Sequence, residues 1–498
     1  MLELWLNTKK LLSAHVFWAV LLIAAGLRFI GFTTSSYGVT GELYRDLIVI
    51  YNWFYLHQWP LLGPSSSLGG FNFGAIYYYL MAPLVYIFHF APYGATALAG
   101  SFSLLAFWPL YKLLRLWFPA HREVAILACL LLAFSFVDIQ FAYYVSNPNL
   151  MPFFILGWLY FFSLILSGQT GWRNITGLGV CFGILTQLHA TALLLFPLLL
   201  VLGWLWKKPR LSAGEIGLFF GVSAIWYIPY GIYEAGHQFA NFQSIFHLGE
   251  ANYSLLPQLS SLLAWANFWD TIFMFKETFF NFLLISPGWF YLFLFLHAAV
   301  LLTVFFFWSR RKRPIVPSHV EITEVGKFLL LAWLTVGSLM FWFFRREIQY
   351  FYFLVLWPAP IILLAWLLAW LKKQSPMLFG ALLGCYLLLQ TVQLGYFYQL
   401  ISNPAYTYVN LSHVFSVISQ QSRQTRFIIV NNALDVNQFI YYLKLTGLER
   451  KVAQDDAEYV YFLVDANTSK LTGSFSKYIF MRQWSSRGLA VAEYRLIK

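Results

Sequence analysis

The sequence predicts a polytopic α-helical membrane protein with about 11–13 transmembrane helices and a small α/β domain at its C-terminal end. Three observations predict it. Of 498 residues, 60% are hydrophobic, 21% aromatic and only 10% charged, against roughly 25% charged in a soluble globular chain. Apolar stretches of the length a bilayer demands, about 20 residues, recur from residue 11 almost to residue 400. Past residue 400 the composition turns to that of a soluble α/β unit.

Taken in order, the apolar runs place spans at residues 11–31, 75–92, 95–116, 123–144, 150–168, 174–190, 191–206, 214–234, 286–308, 327–344, 348–370 and 376–398. The first has a basic flank like a signal peptide. It lacks a small-residue cleavage site and precedes many further spans, so it is expected to stay as the first helix. Two long connections interrupt the series: residues 32–74, rich in Gly, Ser, Tyr and Asn, and residues 235–285, polar and aromatic. Long loops in a compact protein are usually functional or disordered, and aromatic content argues against disorder. After the last span, RFIIVNN (426–432), YVYFLVDA (459–466) and LAVAEYRLI (489–497) read as strands, and DVNQFIYYLKLTG (435–447) reads as a helix. The chain thus divides into a transmembrane domain, 1–400, and a soluble domain, 401–498.

The formal net charge of +12 sits in short clusters between apolar runs: Lys9/Lys10, Lys112 with Arg115 and Arg122, Lys207/Lys208/Arg210, residues 310–313, and Lys372/Lys373. This is the positive-inside pattern of cytoplasmic loops, so a membrane orientation explains the charge and a nucleic-acid partner is not expected. With the clusters inside, both long loops, residues 146–149, His189, Arg345/Arg346 and the C-terminal domain fall outside. A simple crossing at 75–92 conflicts with this, because it puts the next helix in the sense opposite to the one that carries Lys112 and Arg115 inward. Either that short Pro83-containing segment does not cross fully or a further span exists. Cys129, Cys181 and Cys385 lie singly in apolar runs, where neither a disulfide nor a Cys-ligated metal is expected.

Charges are scarce enough that each non-cytoplasmic one needs a reason. GELYRD (41–46) puts Glu42, Arg45 and Asp46 within one turn of a helix predicted over 42–56, whose Leu43, Leu47, Ile50, Tyr51 and Phe54 form an apolar stripe. Such a helix lies in the outer interface with its charged end presented to a site. Two carboxylates accept a hydroxyl proton or offer oxygen ligands to a divalent cation, and an arginine clamps a phosphate. The bland alternative is an ordinary intrahelical ion pair. In FFRREIQYFYFLVLWPAP (343–360), Arg345 and Arg346 interrupt an apolar hairpin on the outer side, against the positive-inside preference; snorkelling arginines are the alternative. His189 lies at the outer end of its span, where it either lines a site or packs as a hydrogen-bonded core residue. Asn147 and Asn149 in SNPN either bind sugar hydroxyls or form a turn before a helix. Asp138 is a second acid to consider. Glu234, His237, His247 and Glu250 lack tight ligand spacing.

GELYRD is followed by PLLGPSSSLGGFNFGAIYYYLMAP (60–83), YYVSNPNLMPFF (143–154) and LTQLHATALLLFP (185–197). Together these resemble the polyprenyl-phosphate-sugar glycosyltransferases of the GT-C fold, in the family 39 group that includes protein O-mannosyltransferases and the aminoarabinose transferase of lipid A. The resemblance runs through roughly residues 10–400 and is sharp only in these blocks. Two positions depart from it: Glu42 stands where the first acid is Asp, and Ala75 replaces a proline. The resemblance implies a polyprenyl-phosphate donor, an inverting direct displacement of a hexosyl or pentosyl group, and a multi-pass enzyme of the plasma membrane whose site faces outward. The acceptor, a lipid, glycan or protein, is left open. It assigns Glu42 and Asp46 to acceptor activation, with a divalent cation at the same pair as the one cofactor considered. Arg45, Arg345 and Arg346 would bind the donor phosphate, and Tyr77, Tyr78, Asn147, Asn149 and His189 the substrates. A transporter or flippase is the rival class, but no repeated half is visible and the charges avoid the midplane. A polyprenyl-diphosphate oligosaccharide ligase has similar needs.

Overall fold

The computed structural model describes residues 2–35, 37–66, 70–244, 320–342 and 350–402, together with 415–416, 418–420, 425–429, 436–446, 459–465, 478–486 and 489–496 of the C-terminal domain. The expected span at 286–308, Arg345, Arg346, His247 and Glu250 lie outside the described residues.

The transmembrane domain is a helix bundle. Helix α1 (Leu2–Phe29) is followed by α2 (Gly41–Leu56), a two-stranded hairpin β1 (Leu62–Ser65) and β2 (Asn72–Gly74), and α3 (Ile76–Ile87). Then come α4 (Tyr93–Leu105), α5 (Phe107–Trp117), α6 (Arg122–Phe134), α7 (Phe136–Tyr143), a 3-10 turn (Asn147–Leu150), α8 (Met151–Leu166), α9 (Trp172–Leu188), α10 (Ala190–Lys207), α11 (Ala213–Ile225) and α12 (Ile228–Gly236). After residues 245–319 the described bundle resumes with α13 (Glu324–Trp342), a 3-10 helix (Tyr350–Leu356), α14 (Pro358–Gln374) and α15 (Pro376–Ile401). Among the described residues, five helical stretches are long and apolar enough to cross a bilayer, and two bent pairs raise this to seven. Side chains such as Leu22, Phe220 and Leu388 point outward from the bundle, as lipid-facing positions do.

The helix within 75–92 is shorter than a simple crossing needs. Helix α3 has 12 residues with Pro83 inside it. At 1.5 Å per residue it is about 18 Å long, well short of a hydrocarbon core of about 30 Å. A tight turn with His89 and Phe90 at positive φ then returns the chain into α4, so α2 and α3 share one end of the bundle. Two other expected spans are broken. The one at 123–144 bends by 53° at Ser135, and the one at 214–234 bends by 67° between α11 and α12. The opposite end of the bundle gathers the basic turns: Arg115 ends α5, Arg122 begins α6, Lys207 ends α10, and Lys372/Lys373 end α14. Lys373 Nζ lies 3.2 Å from His121 Nδ1 there.

The break at Ser135 has a purpose that the sequence conceals. The end of α6 leaves its last carbonyls, those of Leu132 and Ala133 among them, short of donors: before Arg28 is counted, Leu132 O accepts only from Ser135 N, at 3.2 Å. The Arg28 guanidinium, fully buried, supplies them at 2.9 and 3.2 Å and also bonds Ala24 O at 3.2 Å, Ser103 Oγ at 2.6 Å and Asp138 Oδ2 at 2.6 Å. Asp138 also accepts from Ser103 Oγ and from Trp357 Nε1, the latter at 3.3 Å. Asp138 therefore braces α1, α4, α6, α7 and the start of α14, and its carboxylate is fully engaged; it is not a second acid.

Beyond the bundle, a four-stranded sheet runs in the order β3 (Thr425–Ile429), β4 (Tyr459–Asp465), β6 (Leu489–Leu496), β5 (Tyr478–Ser486). β3 and β4 are parallel, joined through α16 (Val436–Leu445), and β5/β6 form an antiparallel pair. Strand β5 was not legible in the sequence, because a register shift between Phe480 and Arg482 breaks the alternation on which strand reading depends.

Candidate active site

The candidate site is built on α2, α3 and the hairpin between them. Helix α2 starts where expected: the Thr40 hydroxyl accepts from Leu43 N at 3.4 Å, and Glu42 sits in the first turn, where the helix dipole favours a negative charge. The helix ends at His57 in the left-handed conformation. It is not a span.

Asp46 is only 4% exposed. Its Oδ1 accepts from Arg45 Nε at 3.0 Å, Arg45 Nη2 at 2.9 Å and the Tyr78 hydroxyl at 3.0 Å. Burial pushes its carboxyl up to about 6, with Arg45 and Tyr78 pulling the other way and Glu42 adding to the rise. Arg45 keeps 36% of its side chain exposed, and among the described residues its Nη1 makes no hydrogen bond. Glu42 is exposed one turn earlier on the same face, and its carboxylate has no partner among the described residues. Tyr77 is buried, its hydroxyl is unpartnered among the described residues, and it lies within the electrostatic reach of Asp46, Arg45 and Glu42. The structure thus brings Glu42, Arg45, Asp46, Tyr77 and Tyr78 together.

The glycine-rich block 63–74 makes a close fit possible. A methyl group on Gly74 would collide with Gln187 Oε1, and one on Gly63 with Gly74 O, so glycine lets the hairpin lie directly against the end of α9. Asn241 fastens the hairpin from α12's side: its Oδ1 accepts from Asn72 N at 2.6 Å, and its Nδ2 donates to Asn72 O at 3.0 Å and to Tyr230 Oη at 2.8 Å.

The remaining expected residues serve the frame. Asn149 Nδ2 donates to Phe141 O at 2.8 Å and to Tyr144 O, and its Oδ1 accepts from Ser146 Oγ at 2.8 Å. Asn147 Nδ2 donates to Leu188 O. The Asn149 amide thus braces the turn that opens α8, and that of Asn147 ties this turn to the end of α9. His189 caps α10 through Nδ1, which accepts from Thr191 N at 3.3 Å, and its ring lies against Phe73 (centroids 6.0 Å apart) and Tyr352 (5.1 Å). No hydrogen bond or ring contact among the described residues joins it to Asp46. Glu234 is buried and accepts from Phe242 N at 3.2 Å, while His237 is exposed with its ring stacked on Tyr233.

No group of three or more His, Cys, Asp or Glu side chains converges among the described residues. For a cation at Glu42 and Asp46, Asp46 Oδ1 is already taken by a guanidinium at 2.9 Å. That leaves Glu42 and one oxygen of Asp46, short of the roughly six ligands a hard divalent cation takes, with a positive charge in their midst. The pair does not fit a metal by itself.

No protein-family model matches the sequence, and no curated protein matches it closely. Solved structures do. ArnT from Cupriavidus metallidurans bound to undecaprenyl phosphate superposes with a TM-score of 0.59 at 12% identity, covering 98% of both chains. The apo state of the same protein gives 0.57 at 13%, covering 96% of this chain and 97% of that one. The chain has the GT-C fold. The archaeal oligosaccharyltransferase AglB from Archaeoglobus fulgidus reaches only 0.47 at 13% identity, over 92% of this chain and 70% of that one. In this chain α2 brings Glu42, Arg45 and Asp46 to the end of the bundle away from the basic turns, and α3 covers Asp46 with Tyr78.

Two structural roles escaped the sequence reading. Arg28 had a signal, a cation inside the first apolar run with an opposite charge, Asp138, inside another. Gln187 had none, since an amide next to a histidine says nothing about a glycine from a distant hairpin.

Proposed function

We propose that this protein is an inverting glycosyltransferase that moves a monosaccharide from a polyprenyl-phosphate carrier to a hydroxyl or amine acceptor outside the plasma membrane. The observation that carries the reading is the state of Arg45. Asp46 holds its Nε and Nη2, while Nη1 is unbonded among the described residues and the side chain is half exposed beside an exposed Glu42, on a short helix of the GT-C fold. An arginine so held is ready to receive a phosphate oxygen. That ArnT, which shares the fold, was solved with undecaprenyl phosphate supports the choice of carrier. The basic turns at the far end of the bundle support an outward-facing site.

In this reading Glu42 removes the acceptor proton as the acceptor atom attacks the anomeric carbon. The bond from that carbon to the carrier's phosphate oxygen breaks with inversion, and the electron pair leaves on the polyprenyl phosphate. Arg45 offsets the charge developing there, assisted by Arg345 and Arg346 as the sequence resemblance implies. Asp46 acts through Arg45: its one saturated oxygen fixes the guanidinium, and Tyr78 fixes Asp46. Tyr77 offers a hydroxyl to the substrate. The chemistry needs no cation, and chelation is expected to leave turnover unchanged.

The test is transfer of radiolabelled sugar by the full-length protein from a panel of polyprenyl-phosphate sugars. Glu42→Gln is expected to lower kcat by about 10²- to 10⁴-fold, and Asp46→Asn to act mainly on the donor KM. Absence of transfer from every donor, or full activity in both variants, overturns the proposal.

A further inference from the structure

The helix that carries the charged group is held from its other side by the C-terminal domain. Around α2, Tyr44, Tyr51 and Tyr55 fall on one face, and Glu42, Asp46 and Trp53 on the face opposite. The second face packs on α3, through Asp46 to Tyr78 and Trp53 to Tyr79 (centroids 5.2 Å apart). The first packs on α16. Tyr44 meets Tyr441 at 5.6 Å and Tyr442 at 5.8 Å between ring centroids, and both α16 tyrosines are fully buried. The Tyr51 hydroxyl donates to Lys444 O at 3.0 Å, and the Tyr441 hydroxyl donates to Phe90 O, in the turn that follows α3. Phe415 stacks on the far side of Tyr442 at 5.8 Å.

This grip is specific in kind. Two phenols, a half-buried one from α2 and a buried one from α16, reach across and bond backbone carbonyls, so the contact fixes register as well as area. It also touches both parts of the site, because α16 bonds α2 directly and the end of α3 through Phe90. A 16-residue helix joined to the bundle by loops at both ends gains most of its order from the surfaces that cover it.

We propose that α16 is a positioning element of the active site, with Tyr441 and Tyr442 holding α2 so that Glu42 and Arg45 keep their geometry for transfer. The C-terminal domain is then part of the catalytic apparatus without touching the substrate. This rests on the glycosyl-transfer reading for its kinetic consequence, but the clasp has a readout of its own. Misplacing a reacting group by about 1 Å costs up to about 100-fold in rate, so loosening the clasp is expected to act on kcat.

The experiment compares full-length wild type with Tyr442→Ala, Tyr441→Phe and, as a lipid-facing control, Tyr396→Ala on α15. Each is examined by hydrogen exchange over residues 41–56, by thermal unfolding and by sugar transfer. Tyr442→Ala is expected to speed exchange in 41–56 at least tenfold and to lower kcat about 10- to 100-fold, with the donor KM rising as Arg45 shifts and the bundle's Tm little changed. Tyr441→Phe, which keeps the ring and loses only the bond to Phe90, is expected to give a smaller effect of the same kind. The control is expected to match wild type. Unchanged exchange in 41–56 overturns the clasp. Faster exchange with undiminished turnover shows mere packing and overturns the positioning role. If Tyr442→Ala unfolds the whole chain, Tyr441→Phe decides by the same two readouts. Failure of wild type to transfer from any donor sinks the glycosyltransferase reading instead, and the exchange data still judge the clasp.

Discussion

Two arginine–aspartate pairs, built from the same side chains, are put to opposite uses in this chain. In Arg28–Asp138 every guanidinium N–H is matched: Nε to Ser103, both Nη1 hydrogens to the Ala24 and Ala133 carbonyls, and Nη2 to Leu132 O and Asp138. Both groups are buried, and five helices meet on them. In Arg45–Asp46 the carboxylate is buried and the guanidinium is not, and three donors crowd one oxygen of Asp46 while Nη1 of Arg45 is left over among the described residues. A saturated pair has nothing left to offer a ligand. An unsaturated one, rigid at one end and open at the other, still has an N–H to give, which suits the binding role proposed for it. Saturation, more than burial or charge, separates the brace from the site.

The largest effect that can break this comparison is on stability. Asp138→Ala leaves the Arg28 guanidinium buried without its counter-charge, and breaking a buried pair in this way costs about 3–5 kcal/mol. The expected outcome is a steep loss of folded protein in a detergent thermal-unfolding assay. If Asp138→Ala folds and melts like wild type, the brace is not one. Next in size is Arg45→Lys. Lysine keeps the charge but has no fork with which to hold Asp46 while presenting a further N–H. The expected loss is about 100-fold in kcat/KM for the donor, with Tm nearly unchanged. A Tm drop like that of Asp138→Ala would make Arg45 a second brace and void the distinction.

The Asp46 carboxyl, raised by burial to about 6, adds a pH signature in which activity and stability move in opposite directions. As pH falls through about 6, protonation releases Arg45, so kcat/KM for the donor is expected to fall about tenfold from about pH 7 to about pH 5. The folded-state value lies above the unfolded one, so the folded chain binds the extra proton. The stabilisation is fully present below the unfolded value near 3.8 and is lost as pH rises through about 6. Asp46→Asn is expected to abolish both trends. An acid limb that persists unchanged in that variant belongs to another group.

How much of this was legible depended on sequence distance. The helix carrying GELYRD and its apolar stripe were readable, since helix periodicity is local. So was the shortness of the Pro83 segment, once the basic clusters forced a choice. The hairpin before α3 was not: strands of three and four residues carry no alternation, and their glycines are explained only by Gln187 from α9. Arg28 and Asp138 are 110 residues apart, and nothing local pairs them. Asn147 and Asn149 were read on equal terms as sugar binders or turn formers; Asn149 bonds carbonyls within the turn, while Asn147 reaches Leu188 O of α9, a partner 41 residues away that no local pattern shows. The clasp of Tyr441 and Tyr442 on Tyr44 joins the two ends of the chain and leaves no trace in either.

The smallest effect is the finest test of the comparison, because it removes one hydroxyl from each pair. Tyr78→Phe takes away one of three bonds to Asp46 Oδ1 and leaves the ring's packing intact. A hydrogen bond to a charged group contributes about 1.5–3 kcal/mol. Since the lost bond favoured the charged carboxylate, the acid limb is expected to move to higher pH and the donor KM to rise a few-fold, with kcat held. Ser103→Ala removes the hydroxyl that links Arg28 Nε to Asp138, and there the expected change is in Tm, with the pH profile and KM left as in wild type. If the two variants behave alike, both shifting KM or both shifting only Tm, then the two pairs do the same job and saturation is not what sets them apart.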